Sequence, residues 1–205
     1  AILRTWRRTN YGCIPIRPHV SAVRCGAVSH SRRHKIHQSN SRPVRRISSN
    51  ASTIAISGTT ATTTIESTNS KSLNGENRTR LFTIYNSAQV NFEDLVFKSG
   101  FYKGRGGCID VYNANVNFTS STFEACTSNA YGGGIFAQDA IVNMKSTTLT
   151  SCSATHVGGG IWIDGDTELK LESSTFSGCY AALYGGGIGA YPANAPGDTR
   201  RVVDL

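Results

Sequence analysis

The sequence lacks a run of about eighteen apolar residues, so we expect no transmembrane helix. The repeated part of the chain also lacks any glycine-free run of ten or more residues with a 3.6-residue apolar period, which disfavours helices there. No paired C-x₂-C occurs, and the glycine triplets are not followed by the Lys-Ser/Thr of a P-loop. These absences argue against a zinc site and against a phosphate-binding loop.

Acidic residues are absent from residues 1–50, which carry eleven Arg or Lys and four of the five histidines. The remaining 155 residues hold ten basic and thirteen acidic residues, so the net charge of +8 comes from the first segment. We predict a basic disordered leader or a gene-start artefact, without a packed core. A targeting segment and an anion-binding segment are the alternatives. No zinc-finger spacing, aromatic stacking motif or basic helix supports a nucleic-acid partner, and none is expected.

The chain is rich in one repeat, a glycine triplet or near-triplet followed by isoleucine. Successive isoleucines are separated by 26, 26 and 27 residues. A second marker, an apolar residue three before a cysteine, recurs at the same period at Cys126, Cys152 and Cys179. Self-similarity at a period in the twenties is typical of solenoids. The four glycine segments are Gly106–Ile109, Gly132–Ile135, Gly158–Ile161 and Gly185–Ile188.

Apolar residues two apart, separated by Gly, Asn, Asp and Ser turns, predict three short strands and three corners per period. Stacked coils then bury apolar columns. We therefore predict an all-β, right-handed parallel β-helix of about 26 residues per coil over residues 81–191. Residues 51–80 are interpreted as a capping partial coil and 192–205 as a tail. The predicted columns are Phe97, Phe123, Leu149 and Phe176; Val90, Val116, Val142 and Leu169; Phe92, Phe118, Met144 and Leu171; and Ile84, Ile109, Ile135, Ile161 and Ile188.

The cysteine column predicts a buried thiol ladder of Cys126, Cys152 and Cys179, with Gly100 in the same place one coil earlier. Coils stack about 4.8 Å apart, slightly more than the Cβ separation of about 3.8 Å in a disulfide. Unlinked thiols are therefore expected, because free cysteine behaves as a small buried hydrophobe. A disulfide within the ladder is the main alternative, and zinc is disfavoured.

The candidate binding residues are Tyr112, Phe136 and Trp162, which we assign to one outward column beside the glycine triplets. A row of exposed rings one coil apart could stack on sugar rings. The alternative is that these rings pack beneath a flanking loop or the N-terminal segment. Sequons begin at Asn50, Asn77 and Asn117, and glycosylation is predicted as possible at Asn77 and Asn117.

Carboxylates do not collect in any predicted outward column on neighbouring coils. Asp164, Asp166 and Glu168 cluster along one stretch, which could bind calcium weakly, although acidic solvent-facing turns are commoner. Glycoside hydrolysis needs two carboxylates held across the scissile bond. We therefore predict no catalytic residues, no metal and no cofactor.

The G-G-x-I segments with their F-x-x-small/polar partners resemble the repeats of chlamydial polymorphic outer membrane proteins. They are also similar to right-handed β-helix proteins of the pectin lyase-like fold, including repeat proteins of algae and other microbial eukaryotes. The resemblance covers residues 81–191 and implies surface exposure and adhesion. We expect a non-catalytic extracellular or cell-surface module, outer membrane-associated if bacterial, that binds glycans or surface proteins. The alternative, which the fold also hosts, is a polysaccharide lyase or glycoside hydrolase.

Overall fold

The protein is a right-handed parallel β-helix of about five coils, each of about 26 residues, in a computed structural model. The structure describes residues 35–38, 53–58, 61–67, 72–191 and 203–204. Those residues contain strands, turns and bends but no helix. Within them, no helix is long and apolar enough to cross a membrane. The predicted fold class is therefore confirmed.

The strands form four sheets that run along the solenoid, and each full coil contributes one strand to each sheet in turn. Sheet 1 contains β2 (Ile54–Ser57), β5 (Phe82–Tyr85), β9 (Ile109–Tyr112), β13 (Ile135–Gln138), β17 (Ile161–Asp164) and β21 (Ile188–Ala190). Sheet 2 contains β1 (Lys35–Gln38), β3 (Thr63–Glu66), β6 (Gln89–Glu93), β10 (Asn115–Thr119), β14 (Ile141–Lys145), β18 (Glu168–Glu172) and β22 (Val203–Asp204). Sheet 3 contains β4 (Ser72–Asn74), β7 (Val96–Lys98), β11 (Thr122–Glu124), β15 (Thr148–Thr150) and β19 (Thr175–Ser177). Sheet 4 contains β8 (Phe101–Tyr102), β12 (Thr127–Ser128), β16 (Ser153–Ala154) and β20 (Tyr180–Ala181).

Each full coil has four strands and four corners, so the expectation of three strands was wrong. The strands of sheet 4 are only two residues long, too short to show alternation in the sequence. A residue with positive φ lies at every corner of the coil that begins at Ile109: Asn113 (46°), Ser120 (48°), Ala125 (53°) and Gly132 (62°). Left-handed backbone turns the chain sharply, and glycine adopts it without steric cost.

The apolar columns form one continuous core inside the coils. Strand registers confirm three predicted columns, led by Phe97, Val90 and Phe92. The isoleucine column is wrong at one position, since Phe82 pairs with Ile109 while Ile84 pairs with Val111. The corner after β5 has one extra residue, and both Asn86 and Ser87 adopt positive φ there. This extra residue shifts β5 along the chain relative to β9.

Phenylalanines fill the N-terminal half of the core. Phe92 stacks on Phe118 with ring centroids 5.2 Å apart, and Phe97 stacks on Phe123 at 4.6 Å. The two columns meet edge to face, as between Phe97 and Phe118. Such pairs add about 0.5–1.5 kcal/mol each beyond burial. The stacked columns therefore fix the register of neighbouring coils as well as excluding water.

The cysteine prediction was wrong for Cys126, which forms a disulfide with Cys108 in the same coil. Cys108 is the third residue of its glycine segment, and its side chain points across the interior. A Cβ built on Gly100 would approach the Cys108 sulfur to 2.5 Å. The absence of a side chain at Gly100 therefore makes room for the Cys108 sulfur. The sequence interpretation treated the triplet as a corner alone and missed its inward third position. Cys152 is free and buried, whereas Cys179 is free and only half-buried.

The N-terminal boundary of the stack lies before the predicted repeat region. Strands β2, β3 and β4 pair in parallel with β5, β6 and β7, so residues 54–74 contribute a coil. Within the segment 1–50, Lys35–Gln38 forms β1, which pairs antiparallel with β3. The rest of that segment lies outside the described residues, as does the sequon at Asn50.

Candidate binding face

The predicted row of exposed aromatic rings does not exist. Phe136 and Trp162 do share a column, but both are buried, at 1% and 8% exposure. Tyr112 is exposed, yet it pairs with Gln138 in the neighbouring column. The predicted column is therefore wrong for Tyr112. Tyr112 lies two residues beyond Asp110, which is the residue that pairs with Phe136.

The rings are covered by the loop that joins sheet 4 to sheet 1 in each coil. The Arg105 guanidinium lies 4.5 Å from the Phe136 ring centroid, and Tyr131 stacks on Trp162 at 5.9 Å. Val157 completes this small second cluster. The outward rings of Phe136 and Trp162 thus pack beneath a flanking loop, the alternative considered from the sequence. They stabilise the loop and are not free to bind sugars.

One coil earlier, the same column holds a buried ion pair in place of an aromatic ring. Asp110 Oδ2 lies 2.8 Å from Arg80 Nη1, and both side chains are at most 10% exposed. Arg80 also donates to the carbonyl oxygens of Gly106 and Arg105 and packs against the Tyr102 ring. Burial raises the pKa of Asp110, with the Arg80 charge opposing that shift. Burial likewise lowers the pKa of Arg80. Arg80 thus joins the loop at Arg105 and Gly106 to Asp110 on β9.

The outer face of sheet 2 carries a polar column in which Asn117 is exposed and Asn91 and Asn143 are half-buried. Asn91, Asn117 and Asn143 occupy one register column on β6, β10 and β14. Asn117 Nδ2 donates to Asn91 Oδ1 at 2.8 Å, and Asn143 Nδ2 donates to Asn117 Oδ1 at 2.7 Å. We call these three residues the asparagine ladder. Each amide orients the next, so the polar groups present a fixed array instead of a set of mobile side chains.

The ladder leads into an open depression of about 650 Å³. Its polar side chains come from β10, β14 and β18 and include Asn117, Asn143, Lys145, Lys170 and Glu172. Lys145 Nζ lies 2.6 Å from Glu172 Oε1. Lys170 Nζ lies 2.6 Å from Glu168 Oε1. The depression therefore combines amide donors and acceptors with both signs of charge.

The carboxylates near this face form ion pairs or hydrogen bonds within the fold. Glu168 and Glu172 lie four residues apart on β18, with about 13 Å between their α-carbons, and each carboxylate is ion-paired with a lysine. Asp164 Oδ1 accepts a hydrogen bond from the Gly165 amide, and Asp139 Oδ1 accepts one from the Asp166 amide. These two aspartates hold the corner between β17 and β18 in place. Among the described residues, no group of three or more His, Cys, Asp or Glu side chains is placed to hold a metal ion.

The two described sequons lie in different settings. Asn77 is exposed in a turn with φ of 55°. Asn117 is exposed too, but its amide takes part in two hydrogen bonds of the ladder. A glycan on Asn117 would replace one amide hydrogen at the centre of the candidate face. Glycosylation at both positions stays a prediction.

No protein-family model, curated protein or solved structure matches this chain.

Sequence reasoning missed the asparagine ladder, although a signal was present. Asn91, Asn117 and Asn143 recur at intervals of 26 residues, each between two inward apolar residues. The 26-residue interval that aligns the core columns also aligns these outward amides.

Proposed function

We propose that this protein is a non-catalytic, secreted or cell-surface β-helix module that binds an extended glycan on the outer face of sheet 2. The observation that carries the proposal is the asparagine ladder running into the open depression at Lys145, Lys170 and Glu172. Amides and charged groups both donate to and accept from sugar hydroxyls. Coil spacing of about 4.8 Å is close to the length of one sugar unit in an extended chain.

Two further observations support a secreted or cell-surface location. The Cys108–Cys126 disulfide suits an oxidising compartment, because disulfides persist mainly in secreted and surface proteins. The G-G-x-I segments resemble those of chlamydial polymorphic outer membrane proteins and of pectin lyase-like β-helix proteins, which favours surface display and adhesion. The rival function is polysaccharide cleavage. Against it stand the ion pairs that engage Glu168 and Glu172.

The experiment compares two matched ion pairs on different faces. Lys145→Gln alters the depression on sheet 2, while Lys98→Gln alters the coil-to-coil pair with Glu124 on sheet 3, where Lys98 Nζ lies 2.7 Å from Glu124 Oε1. Full-length protein and both variants are applied to an array of immobilised oligosaccharides. Binding should weaken about tenfold in Lys145→Gln, as for loss of one charged hydrogen bond, and stay unchanged in Lys98→Gln.

Several outcomes would overturn the proposal. Equal losses in the two variants would indicate a general effect on the fold. Absence of binding to any glycan would remove the ligand class, leaving a protein ligand to be sought. The rival function, polysaccharide cleavage, is tested by incubation with polygalacturonate. The absorbance of unsaturated product and the number of new reducing ends are measured. Turnover there would favour the enzyme.

A further inference from the structure

The reactive side chains that the proposed function does not use are the two free cysteines, Cys152 and Cys179, at the C-terminal end of the stack. Cys126 reaches its disulfide partner because Cys108 occupies the third position of the glycine segment across the interior. In the following coils that position is held by Gly134 and Gly160. Cys152 and Cys179 therefore have no sulfur opposite them, and the nearest described thiol to each lies one coil away in the same column.

The backbone holds these two cysteines in register on adjacent coils. Leu149 pairs with Phe176 before them and Ser153 pairs with Tyr180 after them. The Tyr180 amide donates to the Cys152 carbonyl oxygen at 2.9 Å. Adjacent coils lie about 4.8 Å apart, inside the Cα separation of about 4.4–6.8 Å that a disulfide spans.

Both sulfurs contact backbone carbonyl oxygens. Cys152 Sγ lies 3.7 Å from the Thr150 carbonyl oxygen of its own coil and 3.9 Å from the Phe123 carbonyl oxygen of the preceding coil. Cys179 Sγ lies 3.5 Å from the Leu149 carbonyl oxygen of the preceding coil. The Cys179 sulfur is thus directed back toward the coil that carries Cys152. Strands β19 and β20 are the last of sheets 3 and 4 in the described residues, so no described strand restrains them from the far side. A coil-to-coil bond needs the two Cβ atoms to close from about 4.8 Å to about 3.8 Å.

We propose that Cys152 and Cys179 form an oxidisable dithiol, which a low-molecular-weight disulfide such as glutathione disulfide converts into a coil-to-coil disulfide. Cys179 is the entry point because it is half-buried, whereas Cys152 is buried. Interaction with the neighbouring Cys152 thiol lowers the pKa of Cys179 to about 7. The same interaction, together with burial, raises the pKa of Cys152. The exposed member of the pair is therefore the better thiolate.

The reaction is a balanced two-step exchange. The Cys179 thiolate attacks one sulfur of glutathione disulfide, forming a mixed disulfide and releasing one glutathione thiolate. The Cys152 thiol then loses its proton and attacks Cys179 Sγ, releasing the second glutathione. Two protein thiols are oxidised and one glutathione disulfide is reduced to two glutathione molecules. The product links β19 and β20 covalently to the coil beneath them.

The test treats folded full-length protein with glutathione disulfide, blocks remaining thiols, and maps cysteine peptides by mass spectrometry without reduction. Trypsin cleavage at Lys170 separates Cys152 from Cys179, so their bridge appears as a linked peptide pair. We expect that pair in the wild type, with Cys108–Cys126 retained. Cys152→Ala should instead accumulate a glutathione adduct on Cys179. Cys179→Ala should leave Cys152 unmodified, because its thiol is buried.

Other products would overturn the proposal. A persistent adduct on Cys179 in the wild type would show that Cys152 cannot resolve it. A lack of reaction at both thiols, or pairing of either with Cys13, Cys25 or Cys126, would also contradict the proposed dithiol. Circular dichroism melting of each variant checks that the coils remain folded. Slower proteolysis of residues 175–191 after oxidation gives an independent readout of the added bond.

Discussion

The coil that begins at Ile109 and the coil that begins at Ile161 carry the same inward pattern but are closed differently. Phe123 and Phe176 occupy one column, yet Phe123 is fully buried whereas Phe176 is half-buried. The first coil is covered by neighbours on both sides and crossed by a disulfide. The second has described neighbours on both sides only in sheets 1 and 2. Burial in a solenoid therefore depends on the next coil as much as on the residue itself.

The largest expected difference concerns this phenylalanine column. Phe123→Ala should lower the free energy of unfolding by about 3–5 kcal/mol, because it leaves a cavity beneath Phe97. Phe176→Ala should cost only about 1–2 kcal/mol, since part of its surface already contacts water. Urea denaturation of both variants measures the contrast. Equal losses would mean that Phe176 is covered in solution.

The disulfide is the next largest contrast between the two coils. Replacing both Cys108 and Cys126 by alanine should cost about 3 kcal/mol, given their sequence separation of 18 residues. Cys152→Ala removes a buried thiol but no cross-link, and should cost roughly 1 kcal/mol. Denaturation with and without a reductant tests this. Reductant should bring the wild type close to the double variant, and a wild type insensitive to reductant would contradict the assignment.

The buried Asp110 in the outer column of sheet 1 predicts that the wild type and Asp110→Asn differ in how their stability depends on pH. Burial raises the folded-state pKa of Asp110 above its ordinary value of 3.8. Its contribution to stability is therefore greatest below the unfolded pKa, and is lost as pH rises through the folded pKa. Measured from pH 3 upward, wild-type stability should fall relative to Asp110→Asn across that window. The opposite slope would show that pairing with Arg80 outweighs burial.

The smallest expected effect is the change in stability on replacing either exposed lysine, which shows whether a loss of binding is independent of folding. Lys145 and Glu172 form an exposed ion pair, as do Lys98 and Glu124 two coils earlier. Exposed pairs contribute about 0–1 kcal/mol. Lys145→Gln and Lys98→Gln should therefore both unfold within about 1 kcal/mol of the wild type. A larger loss in Lys145→Gln would make it unsuitable as a test of the depression on sheet 2.

Several parts of the candidate site could not be read from the sequence. The side-chain alternation placed Phe136 outward, and this was right, but alternation cannot show that Arg105 and a loop lie over the ring. The column prediction failed at Tyr112, which pairs with Gln138, while Asp110 takes the position opposite Phe136. The asparagine ladder was readable from its 26-residue spacing, but the hydrogen bonds along it required the register of sheet 2.

The sequence by itself determined the coil length and, except at Ile84, the inward columns. Stacking repeats a chemical environment at a fixed interval and so repeats the residues that suit it. The tertiary structure alone decided the partner of Cys126, the burial of Phe136 and Trp162, and the partial exposure of Phe176. Cys108 and Cys126 lie on different walls of one coil, so only the closed path of the backbone brings their sulfurs together. Contacts along the stack follow the repeat, whereas contacts across a coil depend on the angle of every corner.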